Sequence, residues 1–276
     1  MDNIENDCSE YNNKTKVIIL CTSLFLTVLF IFDVINLTKH DINSDSIDSL
    51  KLISKLLEKG NNFQKMNKFN SIIPFQTPFR LILAGPSGSG KTTFIKQLLT
   101  DKSLMMQPQP DNILWFYAEY QDWYIDFPDI KFIKGIPTND VIENNNKAKL
   151  IILDDLFQYL KKSMTQLFAC DSHHRNISVI FITQNIFYKG SEHRNISLNS
   201  THIVLFKNPR DKSQIMHLAR QMYPEKTSFL IEAFRDATKQ PYSYLLIDLT
   251  PDIDEKYRLR TNIFSNTFTT VYLPKI

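Results

Sequence analysis

The sequence predicts an α/β fold in which a mainly parallel central sheet is flanked by helices, and three observations carry that expectation. A glycine-rich loop, Gly85-Pro86-Ser87-Gly88-Ser89-Gly90-Lys91-Thr92, lies between a short apolar run, Leu81 to Ala84, and a helix-forming segment, Phe94 to Leu99. Five more apolar runs follow along the chain, spaced by helical or Pro-punctuated segments. Several are apolar at every position instead of alternating, as strands buried on both faces of a parallel sheet require.

Residues 1–71 read as an N-terminal extension. Within it, Val17 to Phe32 is an uncharged, mostly apolar run of 16 residues, preceded by Lys14 and Lys16 and closed by Asp33. A spanning helix needs roughly 20 such residues. A hydrophobic helix over about 17–37 therefore has three readings: a membrane anchor with its lysines on the cytoplasmic side, a buried or partner-binding helix, or a segment wrongly joined ahead of the domain. From Asp41 to Asn70 the chain turns polar, a linker with one short amphipathic helix at Ile47 to Leu57.

The domain proper is expected over residues 72–276, opening on the Leu81 to Ala84 strand and the loop. A second strand, Ile113 to Ala118, follows the Pro-punctuated segment Gln107 to Pro110 and ends at Glu119. The third, Leu150 to Leu153, runs straight into Asp154 and Asp155, and the fourth, Val179 to Ile182, ends at Thr183-Gln184-Asn185. The fifth, Ile203 to Phe206, ends at Lys207-Asn208-Pro209; two helices, Ser213 to Met222 and Ser228 to Ala237, then lead to a sixth, Tyr244 to Leu249. Ligands of parallel sheets lie beyond the carboxyl ends of the strands. The polar residues closing each run, Glu119, Asp154, Asp155, Gln184 and Asn208, are thus the functional candidates.

The loop completes the G-x-x-x-x-G-K-[ST] phosphate-binding pattern, so the ligand it predicts is a nucleoside triphosphate. Its glycines permit the positive φ angles and close backbone approach that wrapping N–H groups around phosphate oxygens demands. Lys91 supplies a point charge for the β- and γ-phosphates, Thr92 offers a hydroxyl to Mg²⁺, and the helix opening at Thr92 and Thr93 turns its positive end to the anion. Gly85, Pro86, Ser87, Gly88, Ser89, Gly90, Lys91, Thr92 and Thr93 are the expected nucleotide contacts, with Thr92 and Asp154 on the metal. Asp155, one residue on, can take a proton from the water that attacks the γ-phosphate, with Glu119 as reserve base; the alternative is that both acids only cap a following helix. Gln184 can donate to the γ-phosphate and accept from that water, or be a plain surface glutamine.

Arg175 and Arg194 sit in near-duplicate contexts, His174-Arg175-Asn176-Ile177-Ser178 and His193-Arg194-Asn195-Ile196-Ser197. Either can be a finger inserted into a neighbouring subunit's site, since a planar, permanently charged guanidinium stabilises phosphoryl charge; either can equally be a salt-bridge partner. Of the two, Arg194 is preferred. His173, His174 and His193 lack companions at ligand spacing and read as loop residues.

Composition constrains the rest. At 276 residues and 43% hydrophobic the chain can bury one sizeable core, and a net charge of +3 is too small to diagnose a nucleic-acid partner. Cys8, Cys21 and Cys170 form neither a ligand pattern nor a disulfide framework and read as reduced, intracellular thiols. The glycosylation matches at Asn176 and Asn195 then read as accidental, and a cleaved signal peptide is not expected of a chain that needs cytosolic nucleotide.

Beyond the loop, the ordered series Pro78 to Arg80, Gly85 to Thr92, Trp115 to Gln121, Ile152 to Leu156, Ser172 to Ile180, Thr183 to Phe187, Arg194 to Asn199, Leu205 to Asp211, Ala219 to Pro224 and Arg260 to Phe264 resembles the genome-packaging ATPases of the FtsK–HerA superfamily. Within that superfamily it is similar to the poxvirus-like branch carried by Maverick/Polinton elements and adintovirus-like viruses. The resemblance covers roughly residues 75 to 265 and leaves the first 70 or so without a counterpart. It implies a RecA/FtsK-like P-loop NTPase that uses ATP and Mg²⁺, assembles as a homo-oligomeric ring and pumps double-stranded DNA into a capsid, with capsid proteins as further partners. It also implies a cytoplasmic, nuclear or virion location, and Arg194 lies where ring-forming ATPases commonly carry the finger. Lys161, Lys162, Lys189 and Arg175 are candidates for phosphate contacts in the pore. A small-molecule kinase and a repurposed NTP-binding protein remain as rivals; a GTPase is disfavoured because no Asn-Lys-x-Asp motif occurs.

Overall fold

The computed structural model describes residues 63–67, 72–138, 150–156, 165–168, 175–187, 191–265 and 267–275, all within the compact unit Asn61–Ile276. The apolar run at 17–37, the amphipathic stretch at 47–57, and Lys161, Lys162 and Lys189 lie outside the described residues. Among the described residues, no helix is long and apolar enough to cross a membrane.

Ten strands make one mixed sheet. Its parallel part runs, in spatial order, β9 (His202–Phe206), β3 (Arg80–Ala84), β8 (Ser178–Thr183), β7 (Leu150–Asp154), β5 (Ile113–Tyr117) and β6 (Ile130–Lys134). Every residue of β8 and β9 is buried, and β7 is buried up to Asp154. This is why Val179 to Ile182, Ile203 to Phe206 and Leu150 to Leu153 are unbroken apolar runs. Next to β9 the sheet continues antiparallel through β10 (Tyr244–Asp248), β11 (Leu259–Thr261), β12 (Thr270–Pro274) and β1 (Phe63–Asn67). β1 falls in the stretch read from sequence as linker. Two short strands, β2 (Phe75–Gln76) and β4 (Met106–Gln107), pair separately.

Alternate residues of each parallel strand feed two cores. Ile82, Phe116, Leu153, Phe181 and Leu205 face one side, which is covered by α3 (Ser191–Asn199), α4 (Ser213–Met222) and α5 (Thr227–Ala237) through Ile196, Leu218 and Leu230. Leu83, Trp115, Ile152, Ile182 and Phe206 face the other, covered by α1 (Lys91–Thr100) through Phe94, Ile95, Leu98 and Leu99. A four-residue helix, α2 (Lys102–Met105), follows α1. The buried residues of two of these helices, Ile215, Leu218 and Ala219 in α4 and Phe229, Leu230 and Ala233 in α5, fall at helical spacing on one face. Each fully buried Leu or Phe contributes about 1.5–3 kcal/mol, so these two layers dominate what holds the sheet in place.

The register decides where the chemistry lies. Ala84 pairs with both Thr183 and Leu205, Asp154 pairs with Ile182, and Tyr117 pairs with Asp154. The carboxyl ends of β3, β8, β7 and β5 therefore finish level with one another, along one edge of the sheet.

Candidate functional site

Gly85 to Gly90 leave β3 and deliver the chain to the first residue of α1, Lys91. Gly88 and Gly90 have φ of 73° and 107°, values that favour glycine. Gly85 and Gly90 also permit close approach: a Cβ on Gly85 would lie 2.7 Å from Phe206 Cβ, and one on Gly90 3.3 Å from the Tyr242 backbone. α1 has no side-chain cap and no acidic residue in its first turn, so its N–H groups are open to an anion. Thr92 and Thr93 are exposed there.

Lys91 folds back on the loop, donating from Nζ to the carbonyls of Gly85 at 2.6 Å and Pro86 at 2.9 Å. Burial lowers its pKa, opposed by the nearby charges of Asp155 and Asp154. The loop lysine and the two acids therefore share one electrostatic neighbourhood, although β8 separates their strands. Two strand spacings put the end of β7 roughly 10 Å from the end of β3, a gap that a phosphate and a hydrated cation can fill.

Asp154 is partly buried at the end of β7. Burial, and then the adjoining Asp155, push its carboxyl up to about 6; Trp115, Tyr124 and Lys91 pull in the opposite direction. The Tyr124 hydroxyl donates to Asp154 Oδ2 at 3.4 Å, the long end of the range. The Trp115 indole Nε1 is buried without a hydrogen-bond partner, yet lies close enough to the same carboxyl to lower its pKa. Tyr124 is itself fixed by stacking on Phe132, centroids 4.2 Å apart and planes at 12°. Asp155 follows in the left-handed region at φ 50°, which aspartate tolerates better than most residues, and is exposed. The backbone thus turns sharply after the strand, separating a sheltered acid from a free one. Asp154 and Thr92 are the oxygen donors here that suit a hard cation; among the described residues no cluster of three or more His, Cys, Asp or Glu is poised to hold a metal.

Gln184 is exposed beyond β8, on a small cleft lined also by Ala84, Gly85, Phe206 and Asn208. The Gly85 N–H donates to the Thr183 carbonyl at 3.2 Å, joining the loop to that strand end. The chain after Gln184 is pinned: Asn185 donates to Asp211 Oδ2 at 3.3 Å, and Ile186 N–H donates to Gln214 Oε1 at 3.0 Å. Asp211 also takes the Ser213 N–H at 2.9 Å at the start of α4, and its bonds from Ser213, Gln214 and Asn185 hold its pKa down against burial.

Glu119 is exposed two residues past β5, whose carboxyl end pairs with Asp154 at the same sheet edge as the loop. The two arginines fall elsewhere. Arg175 precedes β8 at the opposite end from Gln184, with the roughly 20 Å of that strand between them, so it does not share the site of its own subunit. Arg194, expected in a loop, lies instead in the first turns of α3 and is exposed. Ile196 of the same helix is buried in the core. Sequence reasoning missed Tyr124, which nothing local marks, while Trp115 and Asp211 stood inside quoted motifs without a role.

No family model and no curated protein matches the chain. Among solved structures it is similar to the DNA-packaging ATPase B204 from Sulfolobus turreted icosahedral virus, at 12% identity over 73% of this chain and 100% of that one, TM-score 0.45. It is similar to the genome packaging NTPase B204 from Sulfolobus turreted icosahedral virus 2 in complex with ATP-gammaS, at 11% identity over 72% and 98%, TM-score 0.45. A third similarity is to the Legionella pneumophila ATPase DotB, at 12% identity over 60% and 54%, TM-score 0.31. Similarities this remote assign no activity to the chain.

Proposed function

We propose that this chain is an ATP-hydrolysing motor that translocates double-stranded DNA into a viral or virus-like capsid, acting as a homo-oligomeric ring. The observation that carries the hydrolytic half is the convergence, on one sheet edge, of the Gly85–Thr92 loop, Asp154 and Asp155, and Gln184 from three neighbouring strands. The translocating half rests on the series of motifs from Pro78 to Phe264 that resembles the FtsK–HerA packaging ATPases, including their Maverick/Polinton branch.

The loop N–H groups and the open N-terminus of α1 hold the phosphates, and Lys91 leaves the Gly85 and Pro86 carbonyls to meet their charge. Thr92 and Asp154 would hold Mg²⁺, which would neutralise phosphate charge. Asp155, exposed and set apart by its left-handed backbone, takes the proton of the attacking water, while Gln184 orients that water. DNA is gripped mainly through its phosphates, so binding has slight sequence preference and weakens steeply with salt.

The test is ATP turnover by the full chain with and without double-stranded DNA. DNA should stimulate hydrolysis, and Lys91→Ala or Asp155→Asn should each lower it about a hundredfold or more. Turnover indifferent to DNA, or an Asp155→Asn protein of normal rate, would overturn the assignment; transfer of the γ-phosphate to a small hydroxyl compound would favour a kinase.

A further inference from the structure

The cations and the glycine-rich loop account for the phosphates, but nothing so far holds the rest of the nucleotide. The sheet order says which way it must extend. Asp154 and Gln184 lie on the β8 and β7 side of the loop strand, so the γ-phosphate end of the ligand points toward them. The nucleoside end is then directed to the other side of β3, where β9 and β10 stand.

A cleft of about 300 Å³ lies there, against Gly88 and Ser89, with Lys207 from the end of β9 and the turn Lys239 to Ser243 that enters β10. This is enough room for a base and ribose. The turn is a built feature. Ser243 Oγ donates to the Gln240 carbonyl at 2.6 Å and its N–H to the same oxygen at 3.3 Å. Between them Tyr242 is held in the left-handed region at φ 61°, where an aromatic residue is rarely found. The residue as a whole is 70% exposed. Its backbone nonetheless lies against the loop, 3.3 Å from the place a Gly90 Cβ would occupy. A strained backbone that presents a large apolar ring to water, beside a phosphate loop, contributes little to folding. It is well placed to hold a flat ligand.

We propose that this cleft is the nucleoside subsite, with the base of ATP stacked on the Tyr242 ring, the Gln240 amide at the base edge and Lys207 and Lys239 around the ribose and α-phosphate. The proposal rests on the nucleotide reading of the Gly85–Thr92 loop. Among the described residues no carboxylate, the strongest acceptor for the guanine N1 and N2 donors, lines the cleft, whereas an amide can both donate to and accept from adenine.

The two readings separate by comparing ATP with inorganic tripolyphosphate, which carries the phosphates without base or ribose. Both are titrated against the full chain by calorimetry in the presence of Mg²⁺. Tyr242→Ala should weaken ATP binding roughly tenfold or more and leave tripolyphosphate binding unchanged, while Tyr242→Phe, which keeps the ring, should bind ATP as the wild type does. Tyr242→Trp adds a readout that a structural role does not move: ATP should quench its fluorescence and tripolyphosphate should not. Wild-type ATP affinity in Tyr242→Ala overturns the subsite, and so does equal weakening toward both ligands, because the ring would then only support the loop. A wild-type chain that binds ATP no better than Lys91→Ala overturns the nucleotide reading itself.

Discussion

Asp154 shows in one side chain how a site is bought with stability. Its carboxyl is drawn up to about 6 by burial and by Asp155, so the folded chain retains a proton there that the unfolded chain releases near its ordinary pKa of 3.8. A raised folded pKa means that the stabilisation is complete below about pH 4 and is lost as the pH rises through 6. At pH 7.5 the ionised group destabilises the fold, by about 1–3 kcal/mol on the usual conversion of pKa shifts. Asn keeps an acceptor for the Tyr124 hydroxyl and removes the charge. Asp154→Asn should therefore melt several degrees higher than the wild type at pH 7.5 without nucleotide, and about equally at pH 4, while losing turnover. Thermal melts at the two pH values decide it. A variant that melts lower at pH 7.5 would mean that the carboxylate is a net structural contact, contrary to its surroundings.

Among the elements, the antiparallel strands beside β9 are joined by a buried charge cluster at the edge opposite the loop. Asp248, the last residue of β10, takes Arg260 Nη2 from β11 at 2.7 Å, the Thr250 hydroxyl at 2.6 Å and His202 Nε2 from β9 at 3.4 Å. Burial alone would raise its pKa, but His202, Thr250 and Arg260 overcome that and hold it well below the usual carboxylate range. Its stabilisation is thus present above that range and lost on acidification. Arg260 Nε and Nη1 already lack partners, so the guanidinium has nowhere else to turn. Asp248→Asn should cost about 3–5 kcal/mol, the penalty of an uncompensated buried charge, which urea unfolding at neutral pH would measure. A cost below about 1 kcal/mol would mean that the pair is dispensable. None of this cluster was legible in the sequence, and the reason is physical. The middles of β3, β7, β8 and β9 are buried on both faces and so are apolar at every position, with polar residues such as His202 only at their ends, whereas β6, Ile-Lys-Phe-Ile-Lys at the sheet edge, and β1, Phe-Gln-Lys-Met-Asn, mix in polar residues and resemble linker. The site divides the same way. Gly85 to Thr92, Asp154 and Gln184 are set by local chain order, while Tyr124 and Tyr242 matter only through an approach that folding creates.

On the proposed function, the whole molecule carries half of a hydrolysis site on one edge of a sheet and displays Arg194 on the outside of a helix. A ring closed by cyclic, head-to-tail contacts would join the two: each site would take Asp155 from one subunit and Arg194 from the next. Arg175, at the far end of β8, is poorly placed for the same duty toward its own site. The arrangement predicts complementation. Rings made only of Arg194→Ala chains, or only of Asp155→Asn chains, lack one component at every site and should be nearly inactive. Mixed in equal amounts and allowed to exchange, they form complete sites wherever the Asp155 of an Arg194→Ala chain faces the Arg194 of an Asp155→Asn chain, about a quarter of all interfaces for random assembly. DNA-stimulated ATP turnover should then recover toward that fraction of the wild-type rate. An arginine acting within its own chain gives no such recovery, because every site would still lack either its base or its cation. Activity of the mixture no higher than that of the two variants measured separately would leave Arg194 a surface residue.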